Sequence, residues 1–535
     1  MEAERAKARP YIKFRRVKRL PGIKDLTKGV EEKPYSWKDL FDQRPSTSTG
    51  EEPDLFPSDV VPVASFSRDT PFHKWFQTVA THKKQFVVET YLDELGSDEK
   101  SRWLATIQEF VGYRCRLRLM GTDPMPPIEI WVNWASLDVL PFGHSLGERR
   151  LEPPRGSSLA KMEPDEWKAV AFRSVIGQPT MPLGMAKDRE NELLSTRFKV
   201  NDQVEVLNIS NSSQIRPAVV KDVRRGRLYL TLKTFFLTAS TAQNHEDPQV
   251  RNGIYLNPDS PLLFPVGWAV QAGYDIDADD SYKEHCQQIL KDKIAGVTPC
   301  YMDDEAKPET CAPTDSFEPS GKWRVGDTME VLDPLDSKFQ SLRVAYVRRI
   351  LENDYLELAF DDTGEKIPLH PRSPYMFPPG YAKTHGIKLE TAKTKKRFDW
   401  DLYFKDNIGV RLRPDPTMFR PEAEGLAERF KIGAKLEATD QVDEMKILCP
   451  ASIKAIKGRL ILVSFDGWEE DYDQLFHCES TDLKPVGWSE MNGLYLHHPP
   501  VKPPSRKRGG TPGRSTTPRK TKRTSCGRGR PKGHK

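Results

Sequence analysis

The stretch RFKIGAKLEATDQVDEMKILCPASIKAIKGRLILVSFDGW, residues 429–468, decides how the chain folds. Its apolar residues fall in short alternating runs, "AKLEA" and "RLILVSF", separated by polar turns. That is the pattern of brief, half-buried strands. Two further segments follow the same plan: RFKVNDQVEVLNISNSSQIRPAVVKDVRRGRLYLTLKTF at 197–235 and KWRVGDTMEVLDPLDSKFQSLRVAYVRRILENDYLELAFDD at 322–362. The phrase "PVGW" occurs at 265–268 and 485–488, with looser versions "PFGH" at 141–144 and "PPGY" at 378–381. The copies recur every 105–125 residues or so, too long for a solenoid unit and suited to a tandem array of small domains. Strands this short and evenly spaced predict a small barrel in each copy. Ahead of each barrel lies an aromatic, helix-prone piece: "FHKWFQTVATHKKQFVVETYLDEL", "DEWKAVAFRSVIG", "SYKEHCQQIL" and "FDWDLYFKDN". These are expected to be arms that pack on a neighbouring core.

At 535 residues the chain is too long for one core. The pattern divides it into a basic, then Pro/Ser-rich region at 1–71 and four repeats at 72–155, 165–276, 281–389 and 398–500. A basic tail follows at 501–535. The two terminal regions are too poor in large apolar groups to fold alone and are expected to be disordered. No apolar run approaches the length of a membrane span, and the charged N-terminus has no signal-peptide core, which predicts a soluble, non-secreted protein with no membrane partner. The seven cysteines include no C-x-x-C pair, which argues against a zinc ribbon and for a reducing compartment. Net charge is +5, unevenly spread. The tail holds 13 Lys and Arg and no acid, leaving 69 basic against 77 acidic residues in the remainder. A basic arm on a mildly acidic body points to nucleic acid or nuclear import.

The segment "SFDGWEEDYDQ" at 464–474 packs Phe465, Trp468 and Tyr472 among five acids. A methylated ammonium keeps its charge but loses hydration, so it is best held by the negative faces of aromatic rings. Isolated aromatics at strand spacing are more often barrel core. Here F-x-x-W-x-x-x-Y occurs together with Asp440 and Asp443 upstream, which favours a cage.

The fourth copy, "FKIGAKLEATD", "FDGWEEDYDQ" and "CESTDLKPVGWSEMNGLYLHHPP", resembles the malignant brain tumour (MBT) repeat, and four such repeats look like the four-repeat MBT proteins of chromatin. The resemblance implies a mainly β fold: Tudor-like five-stranded barrels, each with a helical arm. It also implies a nuclear reader that binds mono- and dimethylated lysine on histone tails and contributes to transcriptional repression within a repressor complex. The alternative is a scaffold that assembles such a complex through protein contacts. By the same resemblance Asp440 is the cage acid, and Asp443 stands where the family often has Asn. Lower-methylated lysine retains an N–H that a carboxylate accepts, whereas trimethyl-lysine has none.

The other copies lack this set. Repeat three has Asp333, Asp336 and Phe360, but Thr363 and Ile367 stand at the Trp and Tyr positions. Repeat two has Asn208 at the acid position, and repeat one offers Trp131 and Trp134 at the wrong spacing. Repeats one to three are therefore expected to be scaffold, or surfaces for other partners.

"GRGRPKG" at 527–533 resembles an AT-hook. Arg528 and Arg530 would enter the minor groove, Gly529 would let the backbone lie flat, and Pro531 would keep it extended, giving weak DNA contact. Nuclear import through "SRKR" is the competing reading. No nucleotide-binding, metalloprotease or hydrolase motif is present, so neither catalysis nor a cofactor is expected.

Overall fold

In a computed structural model of the chain, four sheets follow one another, each built on the same antiparallel five-strand plan, to which the second and third add a short parallel sixth strand. The structure describes residues 59–66, 86–91, 101–122, 126–134, 139–144, 151–181, 197–209, 211–224, 227–233, 253–312, 317–351, 353–391, 398–443 and 446–497, with Tyr35, Trp37, Lys74, Val79, Gly184, Asp188 and Val250. Among these residues no helix is long and apolar enough to cross a membrane.

The fourth sheet shows the plan. Strands Lys435–Thr439, Leu448–Lys457, Leu460–Phe465 and Gln474–His477 form a meander, and Leu483–Lys484 returns to pair with the first strand. The other three sheets have the same order, beginning with Val87–Tyr91, Gln203–Leu207 and Thr328–Val331. A register shift interrupts each second strand, at Ile107/Glu109, Val220/Asp222, Val347/Arg349 and Ile453/Ala455. Such a bulge bends a strand and increases its twist, which lets five short strands curl around a core. Alternate residues of Leu448–Lys457 and Leu460–Phe465 supply that core, among them Cys449, Ala451, Ile453, Ile461, Val463 and Phe465.

A buried acid sits in every first strand: Glu89, Glu205, Glu330 and Glu437, each 0% exposed. It accepts from the backbone that opens the "PVGW"-type turn. Glu437 takes the N–H groups of Gly487 at 2.8 Å and Ser489 at 2.7 Å. Glu330 takes Gly380 and Ala382, Glu205 takes Gly267 and Ala269, and Glu89 takes Gly143. These N–H groups begin the short helices Trp268–Ala272, Tyr381–His385 and Trp488–Asn492, where a carboxylate satisfies orphan donors. Trp268 and Trp488 are core residues, 2% and 3% exposed.

The same acids receive the arms. The indole of Trp400, at the start of helix Trp400–Asp406, donates to Glu330 at 2.8 Å. The Tyr282 hydroxyl, on helix Asp280–Ile294, donates to Glu205 at 3.3 Å. Helix Pro164–Val175 packs Trp167 against Trp103 of the first sheet. Each arm therefore docks on the barrel that precedes it, as expected of arms packing on a neighbouring core. Beyond each arm, the chain adds a parallel bridge to the same barrel: Thr180 to Val87, Glu305 to Gln203 and Leu412 to Asp327.

Among the described residues no arm follows the fourth barrel, and the N-terminal segment docks at the equivalent place. The Trp37 indole donates to Glu437 at 2.8 Å, and Val60 bridges to Lys435 in parallel. Trp37, Val60 and Val61 are at most 3% exposed. They lie in the stretch 1–71 that the sequence reading left without a fold, so part of that stretch belongs to the fourth barrel. A second difference concerns "FVVETY", read as part of a helix-prone arm. Val87–Tyr91 is the first strand of the first sheet, and its β-branched residues suit the buried centre of that sheet.

Contacts between barrels centre on the fourth. Arg114 of the first sheet donates to both oxygens of Glu490 at 2.7 Å, and the Asn133 side chain donates to the Gly487 carbonyl. The third barrel places Tyr381 against the turn at Gly458, whose φ is +61°. A Cβ there would lie 2.3 Å from the Tyr381 hydroxyl, so this turn needs glycine.

Candidate functional site

Strand register gathers the site at one end of the fourth barrel. Thr439 pairs with Leu448, Ala451 with Phe465, and Val463 with Gln474. The loop from Asp440, the end of the Phe465 strand and the start of the Gln474 strand therefore share one rim. Phe465 is 3% exposed and forms the base. Beyond it the chain turns through Gly467 and a short 3-10 turn, Glu470–Tyr472. That turn lifts Trp468 and Tyr472 off the barrel, 40% and 50% exposed. Their ring centroids are 5.0 Å apart with planes inclined at 56°, giving two walls of a slot.

Asp440 is half-buried and held in one orientation. Its Oδ1 accepts from the backbone N–H of Val442 at 2.9 Å and from the Gln474 amide at 2.6 Å, with a longer contact from Asp443 N–H at 3.3 Å. All three use the same oxygen, which fixes the carboxylate and leaves Oδ2 outside these bonds. Asp443 lies in the same loop, and its carbonyl takes the Lys446 N–H. Lys446 is buried and its ammonium donates to the Gln441 carbonyl. Burial pulls its pKa down to about 8, against the opposing pull of Asp482, Asp440 and Asp443.

Two glutamines escaped the sequence reading. Gln474, 2% exposed, bridges the site: it donates to Asp440 and accepts from Gln441 N–H at 2.8 Å. Gln340 of the third repeat donates to the Asp471 carbonyl at 2.7 Å, so the third barrel steadies the turn that carries Tyr472. The signal for Gln474 was its buried strand position directly after an acidic loop. Gln340 had no signal, because only packing between repeats brings it here.

In the third repeat, Asp333 and Phe360 occupy the positions of Asp440 and Phe465 in register. Ile367 does not correspond to Tyr472. It pairs with Leu358 as Gln474 pairs with Val463, so the connecting loop is two residues shorter and the Tyr wall is absent outright. In the first repeat, Trp131 and Trp134 are barrel core, and Trp134 packs edge-on against Phe110. Asn208 of the second repeat is buried and donates to Gln214. His497 is partly buried against Tyr495, and burial pulls its pKa down to about 4. The tail residues Arg528, Gly529, Arg530 and Pro531 lie outside the described residues. Among the described residues no group of His, Cys, Asp or Glu is arranged to hold a metal, and six cysteines are free thiols. A separate cavity of about 610 Å³ lies between the barrels, lined by Phe264, Tyr355, Tyr375, His477 and Trp488 among others. Its lining does not include Phe465, Trp468 or Tyr472.

The sequence profile of the mbt repeat matches residues 202–283, 327–396 and 434–503, the second, third and fourth sheets. Protein lin-61 of Caenorhabditis elegans is 30% identical over 499 residues, covering 88% of this chain and 77% of that protein. The chain belongs to the MBT-repeat family. MBT domain-containing protein 1 of Mus musculus is 28% identical over 414 residues, and the chain spans 59% of its length. The fold matches the crystal structure of the four MBT repeats of Drosophila melanogaster Sfmbt in complex with the peptide RHR(me)KVLR. The TM-score is 0.69 at 24% identity, over 88% of this chain and 99% of that one. The mainly β architecture of four MBT-type barrels is thus common to both, and the first sheet belongs to it although the profile does not reach it.

Proposed function

We propose that the fourth repeat reads mono- and dimethylated lysine on histone tails. The observation that carries this is the paired exposure of Trp468 and Tyr472 over a buried Phe465, beside an Asp440 whose orientation is set by its neighbours. Among the described residues Trp468 and Tyr472 are the only large aromatics left exposed, and they stand side by side, an arrangement suited to a ligand that covers both. The three rings offer negative faces to a poorly hydrated cation, and Asp440 Oδ2 accepts the remaining N–H of a partly methylated ammonium. Asp443 adds charge at the mouth. A trimethylated ligand loses the hydrogen bond and leaves Asp440 unsatisfied. Sfmbt was crystallised with a methyl-lysine peptide, which agrees with this reading.

The chain then acts as a nuclear, chromatin-bound adaptor that contributes to repression through partner proteins, with no reaction of its own. The basic tail, with Arg528, Gly529, Arg530 and Pro531, adds weak DNA contact.

The test is calorimetric titration of the full chain with histone peptides carrying unmodified, mono-, di- and trimethyl-lysine. Binding of the mono- and dimethyl forms, lost in Asp440→Ala and in Trp468→Ala with the melting temperature kept, supports the reading. Equal binding of all four peptides, or binding indifferent to both variants, favours a scaffold working through other surfaces.

A further inference from the structure

One strand position keeps the same register in every repeat. It is the residue paired with the strand position immediately after the buried glutamate of the first strand. In the first repeat Trp103 pairs with Thr90, in the second Arg216 with Val206, in the third Arg343 with Val331, and in the fourth Cys449 with Ala438. Only the fourth repeat has a small side chain there. Cys449 lies close enough to the site for its thiol pKa to be raised by Asp440 and Asp443 as well as by burial.

The third repeat shows what a large residue does at this position. The Arg343 guanidinium lies 3.9 Å from the centroid of the Phe360 ring. One nitrogen donates to Asp333 at 2.6 Å, and the other reaches Asp362 at 2.8 Å and the Thr363 hydroxyl at 2.9 Å. The Arg343 side chain is 10% exposed and that of Asp333 is 4% exposed. Phe360 and Asp333 are the register equivalents of Phe465 and Asp440. A cation thus sits over the equivalent ring and on the equivalent carboxylate, and it belongs to the chain itself.

We propose that the third repeat keeps a working cation slot, filled in cis by Arg343, and that the residue at this strand position decides which repeat admits an external methylated amine. Arg343 is a built-in ligand and Cys449 is the vacancy that leaves the fourth slot open. The guanidinium fits because it is planar, weakly hydrated and always charged, so it stacks on Phe360 while bonding carboxylates in its plane. The first repeat closes the same position with Trp103, which is 0% exposed and donates its indole N–H to the Met120 carbonyl. In the second, Arg216 at this position pairs with Asp277. The ligand class for an emptied third slot is a small organic cation, a methylated ammonium or a guanidinium.

The Cys449 half of this proposal rests on the reading of the fourth repeat as a methyl-lysine site, while the Arg343 half does not, so two arms of one experiment separate them. In the first arm, full-length Cys449→Arg is titrated with a dimethyl-lysine histone peptide. The expected result is a loss of affinity of about tenfold or more in folded Cys449→Arg, or in Cys449→Leu should the buried arginine prevent folding, with Cys449→Ala within about threefold of the natural chain. In the second arm, Arg343→Ala is made in a chain already carrying Trp468→Ala, and amide NMR shifts of Thr363 and Glu365 are followed as dimethylammonium is added. Saturable shifts are expected, absent when Arg343 is present. Undiminished binding by folded Cys449→Arg overturns the gate, and a folded Arg343→Ala chain with no shifts overturns the third slot. Should Arg343→Ala not fold, Arg343→Lys under the same titration is expected to show no shifts, and saturable shifts there overturn the built-in ligand. A natural chain that ignores the peptide refutes the fourth-repeat reading alone, and the second arm still decides the rest.

Discussion

Removing Trp37 should loosen the barrel that carries the site, although Trp37 lies 400 residues before Glu437 in sequence. The side chain is 2% exposed, packs edge-on against Tyr35 at 5.2 Å, and donates to Glu437 Oε1 at 2.8 Å. Trp37→Ala removes the ring and its hydrogen bond together, and large-to-small core changes of this kind cost about 3–5 kcal/mol. Trp37→Phe separates the two terms. It keeps most of the apolar contact and removes the N–H donor, so the cost falls to about 1.5–3 kcal/mol, the range for a hydrogen bond to a charged group. Glu437 retains the Gly487 and Ser489 N–H groups in either variant, which keeps the loss from being larger. The assay is urea denaturation followed by far-UV circular dichroism, with peptide titration of the same samples below the transition. The order natural chain, Phe, Ala in midpoint supports the argument. A Trp37→Ala midpoint within about 0.5 kcal/mol of the natural chain would refute the claim that the N-terminal segment completes the fourth barrel.

Gln474→Ala should weaken methyl-lysine binding by about five- to thirtyfold with the fold retained, because Asp440 loses the amide that orients it; titration of the peptide series checks this. Gln340→Ala should have a smaller effect on affinity, since only the turn carrying Tyr472 is freed; a loss as large as that of Asp440→Ala would contradict this placement. The His477 contribution to stability should fall as the medium is acidified. Burial, with Arg459 and Arg420 nearby, pulls the His477 pKa from 6.5 to about 3. The unfolded chain takes up a proton below pH 6.5 that the folded chain refuses, so the contribution is intact above that pH and is lost as pH falls toward 3. At pH 5 this amounts to at most about 2 kcal/mol. Denaturation midpoints of the natural chain and His477→Phe, compared between pH 7.5 and pH 5, should converge at the lower pH.

The array was legible because the "PVGW"-type phrases mark the same event, the return of the fifth strand beside a buried acid, followed in the last three copies by a short helix. The aromatic-acid set was legible because three rings and five acids in eleven residues suit neither a core nor a solvated loop. Other features depend on distance in sequence. "SWKDL" at 36–40 shares its aromatic-and-charge pattern with "EWKAV" and "DWDLY", the arms of later repeats, yet a Pro/Ser-rich stretch separates it from the first barrel. Its partner, Glu437, sits at the far end of the chain. "FVVETY" suits a helix or a strand when apolar residues run together, and only pairing with Arg102–Val111 settles it. The third repeat was set aside for its missing walls, which is right for Thr363. Counting from Phe360 nevertheless assigned Ile367 to a wall position that a shorter loop has deleted. The role of Arg343 was out of reach, because an arginine in a strand reads as surface until register places it over Phe360.

The most direct measurement is a crystal structure of the chain with a dimethyl-lysine histone peptide. The account predicts the dimethylammonium group between Trp468 and Tyr472, over Phe465, with its N–H on Asp440 Oδ2 and with Arg343 still seated on Phe360 in the third repeat. A peptide bound elsewhere, with the Trp468–Tyr472 slot unoccupied, would contradict it.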